Sequence, residues 1–261
     1  SLEAEQVKKA VSALFQYLEQ KKGKKTDEEE GDVTGKEEES SGSGDKKELL
    51  QLFEDEEFVI VTIGLTNVPD KSKVNAYRIP LAHSIYAGAE ICLFTKDPAS
   101  AIEDKLLDNP VEEVKQVIGV STLRTDYRQY EDKRNLMATY DLFFADDRII
   151  PLLPPLIGKK FFTRGKQPIS ICLSRGGMAG KIASARDSTY LYLRGGPCCA
   201  IKVAKTGFTV EETVENIMTA VPLAIKKVPG KWKNVQTIHL KTTSSISLPM
   251  YKALPVATRI E

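Results

Sequence analysis

Three short motifs in this 261-residue chain carry residue types able to do chemistry. Asp146 and Asp147 close the apolar run DLFFAD, and paired carboxylates can hold magnesium or share a proton. No second acidic cluster or histidine completes such a hydrolase or transferase site, and a helix N-terminus attracts Asp by electrostatics alone, so helix capping explains the pair more simply. The run GGMAGK at 176–181 invites a phosphate-loop reading. That pattern requires Gly at 175 and Ser or Thr at 182, where this chain has Arg175 and Ile182. Without the hydroxyl there is no magnesium ligand, which leaves a flexible basic loop. Cys198 and Cys199 are adjacent in an apolar run, where strand geometry sends them to opposite faces and burial as small groups accounts for them. Cys92 and Cys172 add no disulfide or zinc spacing, and neither His83 nor His239 has a partner for a triad. The sequence therefore predicts no catalytic residue, no cofactor and no metal site.

A second set has a different chemistry. Lys71, Lys73, Tyr77 and Arg78 lie early in the chain, and Lys202, Lys205, Lys241, Thr242, Thr243, Ser244 and Ser245 lie late, all near expected strand ends. RNA recognition needs cations for phosphate and compact donors that reach 2′-hydroxyls in a shallow groove. This set supplies both. A solvated sheet edge uses the same residue types to discourage aggregation, so the residues alone leave both readings open.

The elements that must position these residues are legible from periodicity. Val7, Val11, Leu14, Phe15 and Leu18 recur at steps of three or four, a docked helix over 4–18. Residues 21–46, rich in Glu, Ser and Gly and including SGSG at 41–44, read as an acidic mobile loop. The stretch KKELLQLF reads as a short helix, FVIVTIGLT as a buried strand, 67–73 as a turn and 74–81 as a second strand broken late by Pro80. From Glu90 the pattern becomes strand, helix, strand, helix, strand. The runs EICLFTK, VKQVIGV and DLFFAD are the strands, PASAIEDKLLDN opens with Pro98 in its first turn, and TLRTDYRQYEDKRNLMATY is one long helix. The prolines of RIIPLLPPLIG break the next stretch into short helices. TYLYLRG and CCAIKVAK read as strands separated by a Gly195-Gly196-Pro197 turn. A long helix capped by Thr209 and Glu212 then precedes the strand NVQTIHLKTT and a final extended piece, SISLPMY, ended by Pro249. The fold class expected is α/β and α+β: a discontinuous α+β domain from both chain ends (1–85 and 160–261), with an inserted, Rossmann-like, doubly wound parallel α/β domain at 86–159.

Charge adds geography to this plan. The chain carries 37 Lys and Arg against 36 Asp and Glu, a net +1. Residues 27–45 hold −8, 84–157 hold −5 and 158–261 hold +12, so the neutrality is a sum of unlike segments. Such asymmetry is a hint of nucleic-acid contact with a separate acidic element. No apolar run reaches the ~18 residues of a membrane span, and the first residues do not form a signal peptide. A secreted or integral membrane protein is thereby disfavoured, and reduced thiols in the cytosol or nucleus are expected. The chain opens on Ser1 without an initiating Met, which points to a longer parent chain.

The runs ICLFTKDP, YDLFFADDRIIPLLPPLIGKKFF and LKTTSSISLPMY, together with the inserted α/β plan, resemble the ribosomal protein L-one family, in its ribosome-biogenesis branch of nucleolar pre-ribosome factors. The likeness covers almost the whole chain outside 21–46. It implies a non-catalytic factor in the nucleus and nucleolus that binds structured pre-rRNA, mainly through the discontinuous domain, among other assembly factors and ribosomal proteins, with no membrane or small-molecule substrate. A Thr-Met-Gly loop that packs on RNA in the ribosomal stalk protein is matched by Thr243-Ser244-Ser245, which keeps Thr243 and replaces the other two. That departure favours the biogenesis branch over the stalk protein itself. The family's Lys-Thr-Gly turn is matched by Lys205-Thr206-Gly207, and its hinge, more loosely, by Leu81-Ala82-His83-Ser84. A protein-interaction module that recruits other assembly factors is the alternative role.

Overall fold

A computed structural model describes residues 2–29, 57–68, 76–173 and 177–253. Contacts group the chain into two compact units. One comprises Ser1–Ser72, Leu81–His83 and Leu193–Glu261, and the other comprises Lys73–Pro80 and Ser84–Tyr192. Among the described residues no helix is long and apolar enough to cross a membrane.

The first unit is built on β1 (Phe58–Leu65), whose alternating burial marks a strand with one face on a core. It pairs antiparallel with two distant strands, β8 (Cys198–Lys205) and β9 (Val235–Lys241), and β10 (Leu248–Lys252) adds an edge beside β9. Pro249 sits inside β10, where the sequence reading ended the strand. An edge strand tolerates it because a proline lacks only the N–H that such an edge can leave unpaired. Two helices cover the inner face: α1 (Ala4–Glu29), through Val7, Val11 and Leu14, and α8 (Val210–Lys227), through Ile217, Val221 and Ile225. Helix α1 runs past Leu18 into the stretch expected to be loop. Lys and Glu are good helix formers, so a stretch rich in them continues the helix as far as Glu29. The rest of the acidic segment, the KKELLQLF helix and the 69–73 turn lie outside the described residues.

The cap of α8 is the one read from sequence. The Thr209 hydroxyl accepts from the Glu212 N–H at 3.3 Å, and the Glu212 carboxylate accepts from the Thr209 N–H at 3.0 Å. Thr209→Ala is expected to lower stability by about 1 kcal/mol in urea denaturation. An unchanged midpoint would mean that the cap contributes nothing.

The second unit contains a parallel sheet of order β4-β3-β5-β6: β3 (Ile91–Thr95), β4 (Val114–Gly119), β5 (Leu142–Asp146) and β6 (Ile169–Ile171). Strands β3 and β5 are buried at every residue, as central strands of a parallel sheet covered on both faces must be. The side chain of Asp97 accepts from the N–H (3.1 Å) and hydroxyl (2.7 Å) of Ser121 at the start of α3 (Val120–Thr125). Gly119 permits this approach, since a Cβ there would meet Asp97 Oδ1 at 2.5 Å. The expected long helix over 122–140 is two, α3 and α4 (Tyr130–Thr139). The Thr125 hydroxyl, bonded to the Ser121 carbonyl and to Asp126 Oδ1, competes with the helix ladder where the first one ends. Pro98 lies ahead of α2 (Ser100–Asp108) and outside its first turn.

One face of the parallel sheet carries Cys92, Phe94, Phe143 and Ala145 against Leu123 of α3, Leu136 of α4, Leu153 and Ile157 of α5 (Leu153–Ile157), and Phe161 of α6 (Lys159–Thr163). The short helices follow the prolines as expected. The sheet does not end at 159. After β6, α7 (Met178–Arg186) and β7 (Ser188–Leu191) belong to the same unit, and β7 pairs with β2 (Tyr77–Pro80). The Gly195–Pro197 turn therefore makes no hairpin between β7 and β8. This alters the charge geography: 158–192 contain seven basic residues and one acidic residue, so 84–192 carry a net +1 where 84–157 alone carry −5.

Candidate nucleic-acid interface

Beyond the core, the outer face of the first unit's sheet arranges its side chains in rows fixed by register. Phe58 of β1 stands opposite Lys205 of β8, and Ile60 stands between Lys202 of β8 and Lys241 of β9. Thr62 pairs with His239 in the next row. All are half-buried, while their neighbours Val59, Val61, Ile201, Val203 and Leu240 turn inward. The Lys202 ammonium lies 4.0 Å from the centroid of the Phe58 ring, a cation–π contact that draws its aliphatic stem across the sheet.

Because β1 runs antiparallel to both neighbours, its first residues meet the ends of β8 and β9. The turn after Lys205 and the loop after Lys241 therefore emerge side by side. The Thr206 N–H donates to the Glu57 carbonyl at 3.0 Å, and the Phe208 N–H donates to the Lys205 carbonyl at 3.1 Å, closing the turn. In the loop, the Thr242 N–H donates to the Ser245 hydroxyl at 2.9 Å. The Ser244 N–H and hydroxyl both donate to Glu57 Oε2, at 3.3 and 3.0 Å, and the Ser244 carbonyl accepts from Lys21 of α1 at 3.3 Å. Partial desolvation works to raise the Glu57 pKa, but the bonds from Ser244, the nearby Thr242 hydroxyl and the Lys21 charge outweigh it and hold the carboxyl below its ordinary range. A lowered carboxyl pKa means that the tie is complete at neutral pH and is lost as pH falls through that lowered value.

Of the predicted contact residues, this sheet end brings together Lys202, Lys205, Lys241, Thr242, Thr243, Ser244 and Ser245. Thr242 is buried, Thr243 and Ser244 are exposed. Tyr77 and Arg78 are placed elsewhere, on β2 of the second unit, opposite Leu191 and Tyr190 of β7. Lys71 and Lys73 lie outside the described residues. Sequence reasoning missed Phe58, Glu57 and Lys21. All three are ordinary in local context, and only the pairing of β1 with strands far downstream gives them a place here.

The other motifs resolve into structural roles. Asp146 is buried and its carboxylate accepts weakly, at 3.4 Å, from the Arg148 N–H at the turn after β5, while Asp147 is exposed. Among the described residues no group of three or more His, Cys, Asp and Glu could hold a metal ion. Gly177 is left-handed, with φ 77°, and ends ahead of α7, so Met178–Lys181 form helix where the sequence suggested loop. The Lys181 ammonium donates to the Cys172 carbonyl at 2.9 Å. Cys198 is exposed and Cys199 buried, and burial pushes the Cys199 thiol up to about 11. The segment 81–83 is fastened to α8 by buried Asn216, whose Oδ1 accepts from the His83 N–H at 2.8 Å. Asn216 Nδ2 donates to the carbonyls of His83 (3.0 Å) and Val203 (2.8 Å). The His83 ring meets Glu215 at 2.7 Å, with no nucleophile in the arrangement.

The sequence matches the Ribosomal protein L1p/L10e family over residues 18–246, a span that includes every residue of this sheet end. The chain belongs to the ribosomal protein L1 family. It is 33% identical over 223 residues to "Ribosomal L1 domain-containing protein 1" of Mus musculus, covering 82% of this chain and 48% of the mouse protein. It is 30% identical over 258 residues to a "Putative ribosome biogenesis protein" of Schizosaccharomyces pombe, covering 94% of this chain and 64% of that one. The "Large ribosomal subunit protein uL1" of Caenorhabditis elegans is 24% identical over 188 residues, covering 72% of this chain and 83% of the nematode protein. This L1-family chain thus spans about half the length of the mouse relative and under two thirds of the fission-yeast one. Its mixed α/β fold, with one parallel sheet and two antiparallel sheets among the described residues, fits the L1 type.

Proposed function

We propose that this chain is a non-catalytic ribosome-assembly factor, acting in the nucleus and nucleolus, that binds structured pre-rRNA through the unit formed from 1–72, 81–83 and 193–261. One observation carries the reading: Lys202, Lys205 and Lys241 share one corner of a sheet with the hydroxyl-rich 242–245 loop. Cations beside short donors suit the phosphates and 2′-hydroxyls of folded RNA. The names of the mouse and fission-yeast relatives support an assembly role, and other assembly factors and ribosomal proteins are the neighbours such a role entails. Phe58, beneath Lys202, supplies a ring beside the cations.

Ultraviolet crosslinking of the full chain to purified ribosomal RNA, followed by peptide mapping, tests the surface. Crosslinked peptides are expected at 202–206 and 241–245. Crosslinks confined to 73–80 and 84–192 would move the RNA to the other unit, whose net +3 does not forbid it.

A further inference from the structure

We infer that Glu57 is a positioning residue for RNA binding: it joins the 205–207 turn and the 242–245 loop into one preorganised surface without touching RNA itself. The inference rests on the RNA-binding reading proposed for this sheet corner and adds to it a residue of the wrong charge for a direct contact. Glu57 bonds to both turns, through its carbonyl to Thr206 and through its carboxylate to Ser244. Ser244 is thereby fully engaged: its N–H and hydroxyl go to Glu57 and its carbonyl to Lys21. The neighbouring Thr243 is exposed, and its hydroxyl has no partner among the described residues. The bonds thus hold one loop residue still so that the next presents its hydroxyl beside Lys205 and Lys241. A loop ordered before binding avoids the entropy of ordering it at that moment.

Charge alone makes the opposite prediction. A carboxylate within a cationic patch repels phosphate, so its removal in any form should tighten binding. Positioning distinguishes the variants by shape. Glu57→Gln keeps an acceptor for the Ser244 N–H and hydroxyl, whereas Glu57→Ala removes it.

The test measures binding of the full chain to purified ribosomal RNA, with transfer RNA as competitor, and amide hydrogen exchange of the free protein. Glu57→Ala is expected to weaken binding about tenfold and to speed exchange across 242–245. Glu57→Gln should stay within about threefold of the parent and leave exchange unchanged. Ser244→Ala, which leaves the main-chain bond to Thr206 intact and perturbs the fold least, should weaken binding, and combining it with Glu57→Ala should add little, because both break one interaction. Tighter binding in both Glu57 variants, or additive effects of Glu57→Ala and Ser244→Ala, overturns the inference. The Lys205→Glu/Lys241→Glu chain separates the two levels. If it binds normally, the RNA surface is misplaced and the role of Glu57 falls with it. If it loses binding while Glu57→Ala does not, only the positioning role fails.

Discussion

The Lys205→Glu/Lys241→Glu chain is expected to bind purified ribosomal RNA on the order of 100-fold more weakly than its parent at ~0.15 M salt, with the slope of log affinity against log salt reduced by about two. Each substitution removes a cation from the corner where β8 and β9 end and installs an anion. Both side chains are half-exposed on the outer face, away from Val59, Val61, Ile201 and Leu240, so the sheet has no cause to unfold. Circular dichroism should be unchanged. The slope is the more searching readout, because counterion release counts phosphate contacts independently of the RNA's identity. Parental affinity together with a parental slope would remove this corner from the binding surface.

Phe143→Ala is expected to destabilise the second unit by about 4 kcal/mol, among the larger effects available to a single substitution. Phe143 is buried near the start of β5. Its ring is stacked on Phe94 (centroids 5.8 Å apart, 10° between planes), meets Phe161 edge-on at 5.0 Å and lies 6.3 Å from Tyr140. Truncation leaves a cavity bounded by a rigid parallel sheet and by helices already shortened by prolines, a site poorly able to collapse. Hydrogen exchange should rise across 91–171 while the β1–β8–β9 sheet, which has its own core, keeps its protection. A loss under 1 kcal/mol would show that these rings contribute little beyond filling space.

What was legible beforehand divides along the range of the interactions. Local patterns specified local structure well: the Thr209–Glu212 cap, the apolar stripe of Val7, Val11 and Leu14, and the unbroken runs ICLFT and LFFAD of the parallel sheet. Where a polar side chain competed with the main chain, as Thr125 does, periodicity overran the break. Distant pairing was the larger loss. Nothing in the three residues of β6 announces that they join β5, so the parallel sheet was ended too early and its charge misjudged. The late lysines and hydroxyls of the candidate site lie together at one sheet end, whereas Tyr77 and Arg78, grouped with them because they, too, lie near a strand end, fall in the second unit. Phe58 and Glu57 could not be found without knowing which strands flank β1.

That flanking has a consequence for how the protein is made. β1 is synthesised early, yet both strands that sandwich it, Cys198–Lys205 and Val235–Lys241, leave the ribosome only after the entire second unit. At ~5–20 residues per second the interval is roughly ten to thirty seconds. During it the second unit can assemble its own sheet, while the nascent FVIVTIGL segment has neither edge satisfied. The surface proposed to grip RNA therefore comes into being only after the second unit has been made, and until then this β-branched segment is a natural ward of the chaperones at the exit tunnel.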